Sequence, residues 1–340
     1  IKAIIHAHPP ALVAFSIVRK IPNTRLIPEA HILCQPVEMA EYGLPGSDDL
    51  GEKIARKFEE GCKTVMLENH GVVVGGENLF KAFMTFETFD FCARLEIKAN
   101  RIGTPIALDE RQIALSKYKQ NVVMDEFIPQ RYSSAERAAR QEMCKLIHRS
   151  YDQRLFTSTQ GTFSQRLDND SFIITPYGID RKYIEPSDIV RIHNNWKESG
   201  KNPSRSVMLH KYIYEKHPYI NSIIIAHPPN IMAFAVTEAK FETKTIPESY
   251  IALRNVSKIP FGSSFMQPAM VADSISKNTP ILLVENDCII VTGDSLLNAF
   301  DRLEVAEYSA KAIIASKYIG DIININDKEV ADIEKAFNLL

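Results

Sequence analysis

The feature that most constrains this chain is an internal repeat. Residues 3–16 (AIIHAHPPALVAFS) and residues 222–235 (SIIIAHPPNIMAFA) are identical at eight of fourteen positions, at an offset of 219 residues. Further along, the offset becomes 217, and residues 68–69 (EN) match residues 285–286 (EN). Matches that keep their order with so small a change of offset predict a tandem duplication with a unit of roughly 220 residues.

The length agrees with two copies, because 340 residues correspond to about two domains of ~150 residues each. We place the first copy at residues 1–125 and the second at residues 134–340, and residues 100–133 form a weakly patterned connector. About ninety residues of the second copy precede His227, whereas seven residues precede its counterpart His8. We therefore expect the first copy to lack its front portion.

Capping and turn signals divide the copies into short helices and strands. They predict a strand at residues 1–8, a helix at 48–60 capped by Ser47, a long amphipathic helix at 77–99 and a hairpin at 164–175. Helices and strands do not alternate strictly. This mixture favours an α/β fold with a mostly antiparallel or mixed sheet flanked by helices in each copy.

Composition and motifs exclude several classes of protein. The net charge is −2, from 40 basic and 42 acidic residues, which argues against a nucleic-acid binder held by phosphate contacts. No apolar run approaches the ~18 residues of a membrane span. The five cysteines form no C-x-x-C pair, so we expect neither a zinc knuckle nor a disulfide framework, and a reducing cytoplasmic location is the default. Dinucleotide and P-loop motifs are also missing from the sequence.

Three histidines of the first copy are candidates for chemistry. His6 and His8 are two residues apart on the predicted strand, so both imidazoles project from one face. His70 follows another strand and can supply a third nitrogen. Three protein ligands with an open fourth position are typical of a catalytic zinc site. The alternative is that these histidines are only packed or hydrogen-bonded.

The repeat supplies an internal comparison. The second copy has Ile225, His227 and Asp287 at the three positions. Isoleucine cannot bind a metal, and the remaining pair is a poor zinc site, so we expect the second copy to be metal-free. A strand position that is apolar in one copy and histidine in the other favours a metal site that only the first copy has.

These motifs resemble those of the class II aldolase/adducin family, in particular its L-fuculose-phosphate aldolase type. In the first copy the resemblance is carried by His6-Ala7-His8, by Glu68-Asn69-His70-Gly71 and by the segment from Gly76 to Glu87; in the second copy it is carried by residues 160–164, 174–178 and 200–204. It covers almost the whole chain as one partial and one complete domain. The implied fold is a three-layer α/β/α domain, present in two tandem copies.

The resemblance also implies site residues. His6, His8 and His70 match the histidines that bind Zn²⁺ or another divalent metal in the family. Tyr42, four residues before Gly46, matches a tyrosine that moves a proton across a subunit contact, whereas Lys258 has this place in the second copy. The family's acid/base glutamate belongs to a P-S-S-E motif, which in the second copy has become Pro203-Ser204-Arg205-Ser206.

The family's phosphate-binding motifs are partly kept in the second copy. Gly161, Thr175, Gly178 and Ser204 match them, while other positions have changed. Backbone N–H groups in such turns can cradle an anion. Equally, the motifs can be relics that only preserve the fold, and we favour that second interpretation.

The resemblance predicts a zinc-dependent aldehyde-lyase that cleaves a ketose phosphate through a metal-stabilised enediolate. The alternatives are an epimerase or decarboxylase of sugar phosphates on the same scaffold, and a non-catalytic adducin-like protein for assembly or binding. The expected ligand is a small sugar phosphate, and we expect the chain to bind neither nucleic acid nor a membrane. We expect a homo-oligomer, such as a dimer of tandem chains that forms a pseudo-four-fold ring.

Overall fold

The computed structural model describes residues 1–339 and divides the chain into two compact units, Ile1–Ile113 and Ala114–Leu340. The first unit contains the histidines of the first copy, and the second unit contains the second copy. The domain boundaries expected from the repeat, residues 125 and 134, stay a prediction. Among the described residues, none of the helices combines the length and apolar character that crossing a bilayer requires.

The first unit is built on a four-stranded sheet. Its strands are β1 (Ala3–Ala7), β2 (Val37–Ala40), β3 (Thr64–Leu67) and β4 (Val72–Gly76), and its helices are α1 (Pro10–Ile17), α2 (Pro28–Cys34), α3 (Asp48–Glu59) and α4 (Leu79–Ala99), with a 3-10 turn at Thr24–Leu26. Helix α5 (Glu110–Ser116) follows where the two units meet in the chain. The strand order is β1-β4-β3-β2, and only the β2–β3 pair is parallel.

Strand β4 shows how this sheet packs helices on both faces. Successive side chains of a strand point to opposite faces. Val72 and Val74 belong to a buried cluster with Phe89 of α4, whereas Val73 belongs to a second cluster, against which Phe58 of α3 packs. The predicted mixed sheet between helix layers is therefore confirmed.

Capping side chains set the starts of the two longest helices of this unit. The Ser47 hydroxyl accepts a hydrogen bond from the Leu50 N–H at 3.3 Å, as the sequence predicts, and α3 begins at the next residue. The Asn78 side chain accepts from the Lys81 N–H at 2.9 Å and starts α4 in the same way. These bonds satisfy N–H groups that have no partner inside a helix.

The second unit has a larger sheet. Its strands are β5 (Asp125–Phe127), β6 (Thr162–Arg166), β7 (Ser171–Ile174), β8 (Val190–His193), β9 (Trp196–Glu198), β10 (Ser222–Ala226), β11 (Val256–Ile259), β12 (Ile281–Val284) and β13 (Cys288–Gly293). Its helices are α6 (Ser134–Asp152), α7 (Val207–Lys216), α8 (Pro229–Ala235), α9 (Pro247–Leu253), α10 (Ser263–Met266), α11 (Pro268–Asp273), α12 (Leu296–Ser316) and α13 (Asp327–Ala336). The strand order is β11-β12-β13-β10-β6-β7-β8-β9-β5.

The duplication is visible in the strand register. The order β10-β13-β12-β11 repeats β1-β4-β3-β2, and each pair keeps its direction. His6 lies opposite Val73, and Ile225, 219 residues later, lies opposite Ile290, 217 residues later. The two offsets found in the sequence therefore also relate the paired strands of the two sheets, which have the same register. Strand β10 also pairs with β6, whereas β1 is the edge strand of the described first sheet.

A buried ionic cluster holds strand β9 of the second unit. The Glu198 carboxylate accepts hydrogen bonds from Arg140 Nη2 at 2.8 Å, from Lys201 Nζ at 2.6 Å and from the Tyr132 hydroxyl. Burial alone would raise the pKa of Glu198, but hydrogen bonds from these three groups outweigh burial and lower the pKa to about 2. Glu198 is thus ionised at neutral pH, as a buried carboxylate with several donors should be.

Candidate metal centre

Strand β1 presents two imidazoles on one side. His6 lies within the strand, paired with β4 opposite Val73, and His8 follows the last strand residue, Ala7. Because side chains two residues apart point to the same face, the two rings meet. Both histidines are exposed, so a small molecule can reach them.

The third imidazole comes from the turn between β3 and β4. The Leu67 N–H donates to the Gly71 carbonyl oxygen at 2.8 Å, and the His70 N–H donates back to the Leu67 carbonyl oxygen at 3.2 Å. Asn69 has a φ of 52°, in the left-handed region that asparagine tolerates better than most residues. This turn directs His70 towards β1, the neighbour of β4 in the sheet.

The three rings converge on one point. The ring centroids are 4.7 Å apart for His6 and His8, 5.0 Å for His6 and His70, and 4.7 Å for His8 and His70. One nitrogen from each ring can be chosen so that all three lie within 4.8 Å of one another. The structure thus brings together the three histidines that the sequence singled out, although their role as metal ligands stays a prediction.

Hydrogen bonds orient these rings. Nδ1 of His6 lies 3.0 Å from the Val72 carbonyl oxygen, which can only accept, so Nδ1 carries the proton. Nε2 of His6 is then the acceptor of the 3.1 Å bond from Nε2 of His8. Burial, followed by the neighbouring His6 and His8, lowers the pKa of His70 and keeps this imidazole neutral, the form that binds metals.

This donor set fits a divalent metal. In a tetrahedral site with Zn–N bonds of about 2.0–2.1 Å, ligand nitrogens are about 3.3 Å apart. The Nε2 atoms of His6 and His8 are already 3.1 Å apart, and imidazole rotation can bring in the third nitrogen. Nδ1 of His70 is buried without a hydrogen-bond partner among residues 1–339. The Val72 carbonyl supplies the supporting bond that metal-binding histidines usually make.

Gly71 explains why a glycine follows His70. A Cβ atom at this position would lie 2.5 Å from the Ala7 carbonyl oxygen and 2.5 Å from Cδ2 of His8. Any side chain here would push against the β1 backbone and against one of the three rings. The N-H-G motif marks this glycine in the sequence, but the reason that a glycine is required is visible only in the structure.

Tyr42 follows β2, and its side chain is 54% exposed. Its N–H donates to Oε2 of Glu68 at 3.1 Å, and its carbonyl oxygen accepts from Nζ of Lys53 at 2.8 Å. Glu68 also lies 3.6 Å from Nη2 of Arg19. Sequence reasoning missed this positioning role of Glu68. Within the described residues, no hydrogen bond or ring contact joins the Tyr42 side chain to the histidines, and its role in proton transfer stays a prediction.

Strand register corrects one correspondence drawn from sequence. Val256–Ile259 of β11 pairs with β12 as Val37–Ala40 of β2 pairs with β3, again at offsets of 219 and 217. The counterpart of Tyr42 is therefore Phe261, and the sequence-based assignment to Lys258 was wrong. The error came from aligning two glycines of the following turns rather than the strands.

The candidate anion-binding residues lie close together in the second unit. The Ser204 N–H donates to the Thr175 carbonyl oxygen at 3.0 Å, and the Ser204 hydroxyl lies 2.8 Å from that of Thr162. Gly161 and Gly178 have φ values of 83° and 74°, which favour glycine. Thr175 and Ser204 are in direct contact, and Gly161 precedes Thr162, but whether these residues or Gly178 bind substrate stays a prediction.

Comparison with known families agrees with the fold. The model of the class II aldolase and adducin N-terminal domain matches residues 1–97 and 141–314. Together the two segments cover most of the chain, one in each copy. The chain belongs to this family, as a tandem duplication.

Individual relatives align with about half of the chain. An L-fuculose phosphate aldolase of Methanococcus vannielii is 28% identical over 174 residues, 50% of this chain and 92% of that protein. A 3-oxo-tetronate 4-phosphate decarboxylase of Haemophilus influenzae is 26% identical over 209 residues, 58% of this chain and 96% of that protein. The crystal structure of YgbL from Klebsiella pneumoniae superposes with a TM-score of 0.53 and 21% identity, covering 59% of this chain and all of that chain. At this identity the structural match shows the fold alone.

Proposed function

We propose that the chain is a divalent-metal-dependent lyase that cleaves a ketose phosphate by a retro-aldol reaction. His6, His8 and His70 would hold Zn²⁺ or a similar ion. The observation that carries the proposal is the convergence of these three imidazoles, with one nitrogen of each within 4.8 Å of the others. The similarity to an L-fuculose phosphate aldolase supports a sugar phosphate as the substrate class.

The bound ion would supply a Lewis acid that polarises the substrate carbonyl and stabilises the negative charge left when the C–C bond breaks. The bond that His6 Nδ1 makes to Val72 leaves Nε2 without a proton, so its lone pair would bind the ion in place of the hydrogen bond from His8. In a retro-aldol cleavage, a general base takes the proton of the hydroxyl β to the ketone, the C–C bond breaks as the aldehyde forms, and the bonding electron pair passes to the carbon beside the ketone. In the family this base is the glutamate of the P-S-S-E motif. Tyr42, held by Glu68 through its backbone, would donate the proton that this carbon gains.

A second reaction has support from the comparisons. The similarity to a 3-oxo-tetronate 4-phosphate decarboxylase extends over 96% of that protein. Decarboxylation leaves the same kind of negative charge beside a ketone, and therefore needs the same Lewis acid. The two reactions differ in product, since one releases an aldehyde and the other carbon dioxide. Sugar-phosphate epimerisation is a third reaction of this kind, and a non-catalytic adducin-like role would leave the histidines without a substrate.

We also propose that the chain forms a homo-oligomer, for which two tandem chains in a pseudo-four-fold ring are the simplest arrangement. The exposed side chain of Tyr42 supports this assembly, because a proton donor that serves a neighbouring subunit must lie at the surface of its own. Multi-angle light scattering tests the assembly, and a stable monomer would contradict it.

The function is tested by replacing one ligand. His70→Ala should abolish both the bound metal, measured by elemental analysis, and aldehyde release from a panel of ketose phosphates. The control is His31→Gln in α2, outside the cluster of three rings, and should change neither measurement. A wild-type chain that binds no divalent ion would refute the metal site. A bound ion without aldehyde release from the ketose phosphates, but with carbon dioxide release from a 3-oxo sugar-acid phosphate, would select the decarboxylase.

A further inference from the structure

A buried ion pair lies in the second unit at the place that corresponds to His70. Nζ of Lys119 is 2.8 Å from Oδ1 of Asp287, whose side chain is fully buried, while the Lys119 side chain is 20% exposed. The Ser264 hydroxyl donates to the other carboxylate oxygen of Asp287 at 2.6 Å. Both oxygens of this carboxylate are therefore engaged.

The backbone around Asp287 repeats the backbone around His70. The Asp287 N–H donates to the Val284 carbonyl oxygen at 3.2 Å, as the His70 N–H does to Leu67. The preceding asparagine has a φ of 51° in the second unit and 52° in the first. Asp287 is thus the structural counterpart of His70, as the sequence offset predicted. The change from imidazole to carboxylate places a negative charge where the first copy has a neutral ligand.

Lys119 also reaches the candidate anion-binding cluster. Its carbonyl oxygen accepts a hydrogen bond from Nη1 of Arg205 at 2.9 Å, and the Arg205 guanidinium lies 5.2 Å from the centre of the Tyr177 ring. One residue of the connector therefore binds Asp287 through its side chain and Arg205 through its backbone. It spans the positions that correspond to the metal-binding and phosphate-binding motifs of the family.

The connector is anchored beside Lys119 as well. A Cβ atom at Gly262 would lie 2.8 Å from Cδ2 of Leu115, so the Leu115 side chain uses the space that this glycine leaves. Val122 packs against the core cluster that contains Ile225. The segment is held on both sides of Lys119.

We propose that the Lys119 ammonium is the built-in cation of the second copy, and that the connector closes the metal position of this copy. The correspondence between Asp287 and a metal-binding position rests on the proposed function. The ion pair of Lys119 with Asp287 and the closure by the connector do not depend on that function. A divalent ion would be repelled by the ammonium and would find only Ile225 where the first copy has His6.

Electrostatics require a cation at this place. An unpaired carboxylate without solvent exposure is strongly destabilising. Burial raises the pKa of Asp287, but the charge of Lys119 and its hydrogen bond outweigh burial, and the net effect lowers that pKa. The carboxylate is therefore ionised and depends on Lys119.

The first experiment measures that dependence by thermal unfolding of the whole chain. Lys119→Met leaves the buried carboxylate unpaired and should lower the melting temperature of the second unit by roughly 5–10 °C. The control Lys117→Met removes an exposed charge two residues away and should leave it unchanged. Adding Asp287→Asn to Lys119→Met should recover most of the loss, because no charge is then buried. A Lys119→Met chain as stable as the control would overturn the proposal.

The second experiment asks whether Lys119 holds the place of an ion. It uses chains in which His6, His8 and His70 are all alanine, so that any specific site belongs to the second copy. In this background Ile225→His should give no uptake of Zn²⁺ in calorimetric titration, whereas Ile225→His with Lys119→Met should take up a single ion and melt at a higher temperature with it. The proposal is contradicted if the two chains, with and without Lys119→Met, both take up Zn²⁺ or if neither does. Metal binding by the wild-type chain, which tests the proposed function, is measured separately.

Discussion

Replacing Gly71 with alanine tests the arrangement of the histidine cluster directly. The added Cβ would lie 2.5 Å from the Ala7 carbonyl oxygen and from Cδ2 of His8. Unstrained contacts between heavy atoms are about 3.5–4.0 Å long. The carbonyl belongs to β1, which the ladder of hydrogen bonds to β4 holds in place. The His8 ring and the β1 backbone at Ala7 must therefore both move away from this Cβ by about 1 Å.

The size of the effect follows from two opposing terms. Forcing a methyl group into a filled space costs about 1–3 kcal/mol. Restricting the unfolded chain by replacing glycine returns about 0.4–1 kcal/mol. We therefore expect Gly71→Ala to lower the free energy of unfolding by about 1–2 kcal/mol. Disturbing the support of a ligand typically lowers metal affinity by about 10- to 100-fold.

The assay is a zinc titration against a chromophoric chelator, together with urea unfolding in the presence of EDTA. The matched control is Gly51→Ala in α3, where a Cβ would have no neighbour within 4 Å. This control should stabilise the chain by about 0.5–1 kcal/mol, because it lies inside a helix, and should leave zinc affinity unchanged. If Gly71→Ala binds zinc as tightly as the wild type, the three rings do not hold the ion as inferred here.

Three further outcomes are expected. Glu68→Ala should lower kcat by about 10- to 100-fold with metal content unchanged, because it removes the acceptor that holds the Tyr42 N–H; an unchanged kcat would show that Glu68 does not position Tyr42. The pKa of Glu198 is lowered from 4.5 to about 2, so the stability it provides is present above pH 4.5 and is lost as the pH falls towards 2; urea unfolding should lose about 3 kcal/mol across this window, and Glu198→Gln should remove most of that slope. Glu307 accepts two backbone N–H groups at the start of α8, at 3.0 and 2.9 Å, and Glu307→Gln should lower the free energy of unfolding by about 1–2 kcal/mol in the same assay.

Features that depend on short stretches of chain were predictable from sequence. The period of two in a strand was enough to place His6 and His8 on one face, and the Ser47 cap was enough to place the start of α3. The repeat predicted more of the fold than the strand period or the helix cap did, because its two offsets also relate the paired strands of the two sheets. His70 could be assigned to the cluster only through its motif and the family resemblance, since a turn residue has no periodicity of its own.

Contacts between distant stretches were not predictable in this way. The Val72 carbonyl that orients His6 is a backbone atom, and no residue type marks it. Glu68 was noted as part of a motif, but its bond to the Tyr42 backbone depends on how the β2 and β3 ends meet. Lys119 lies in a segment without clear pattern, and its partner is 168 residues away. Such pairings depend on how distant segments pack together, and a single sequence carries no local pattern that predicts them.

The two copies show how one sheet register can persist with two different charge arrangements. In the first copy, three imidazoles meet beside Gly71, and a divalent ion is the group that suits them. In the second, a carboxylate replaces the imidazole of the turn, and a fully buried carboxylate is tolerated only with a cation beside it. Asp287 and Lys119 are therefore a coupled pair of changes, since the first without the second would bury an uncompensated charge. Cys288 now follows Asp287 where the first copy needs Gly71, so the turn has also lost the glycine that lets a ring approach the strand.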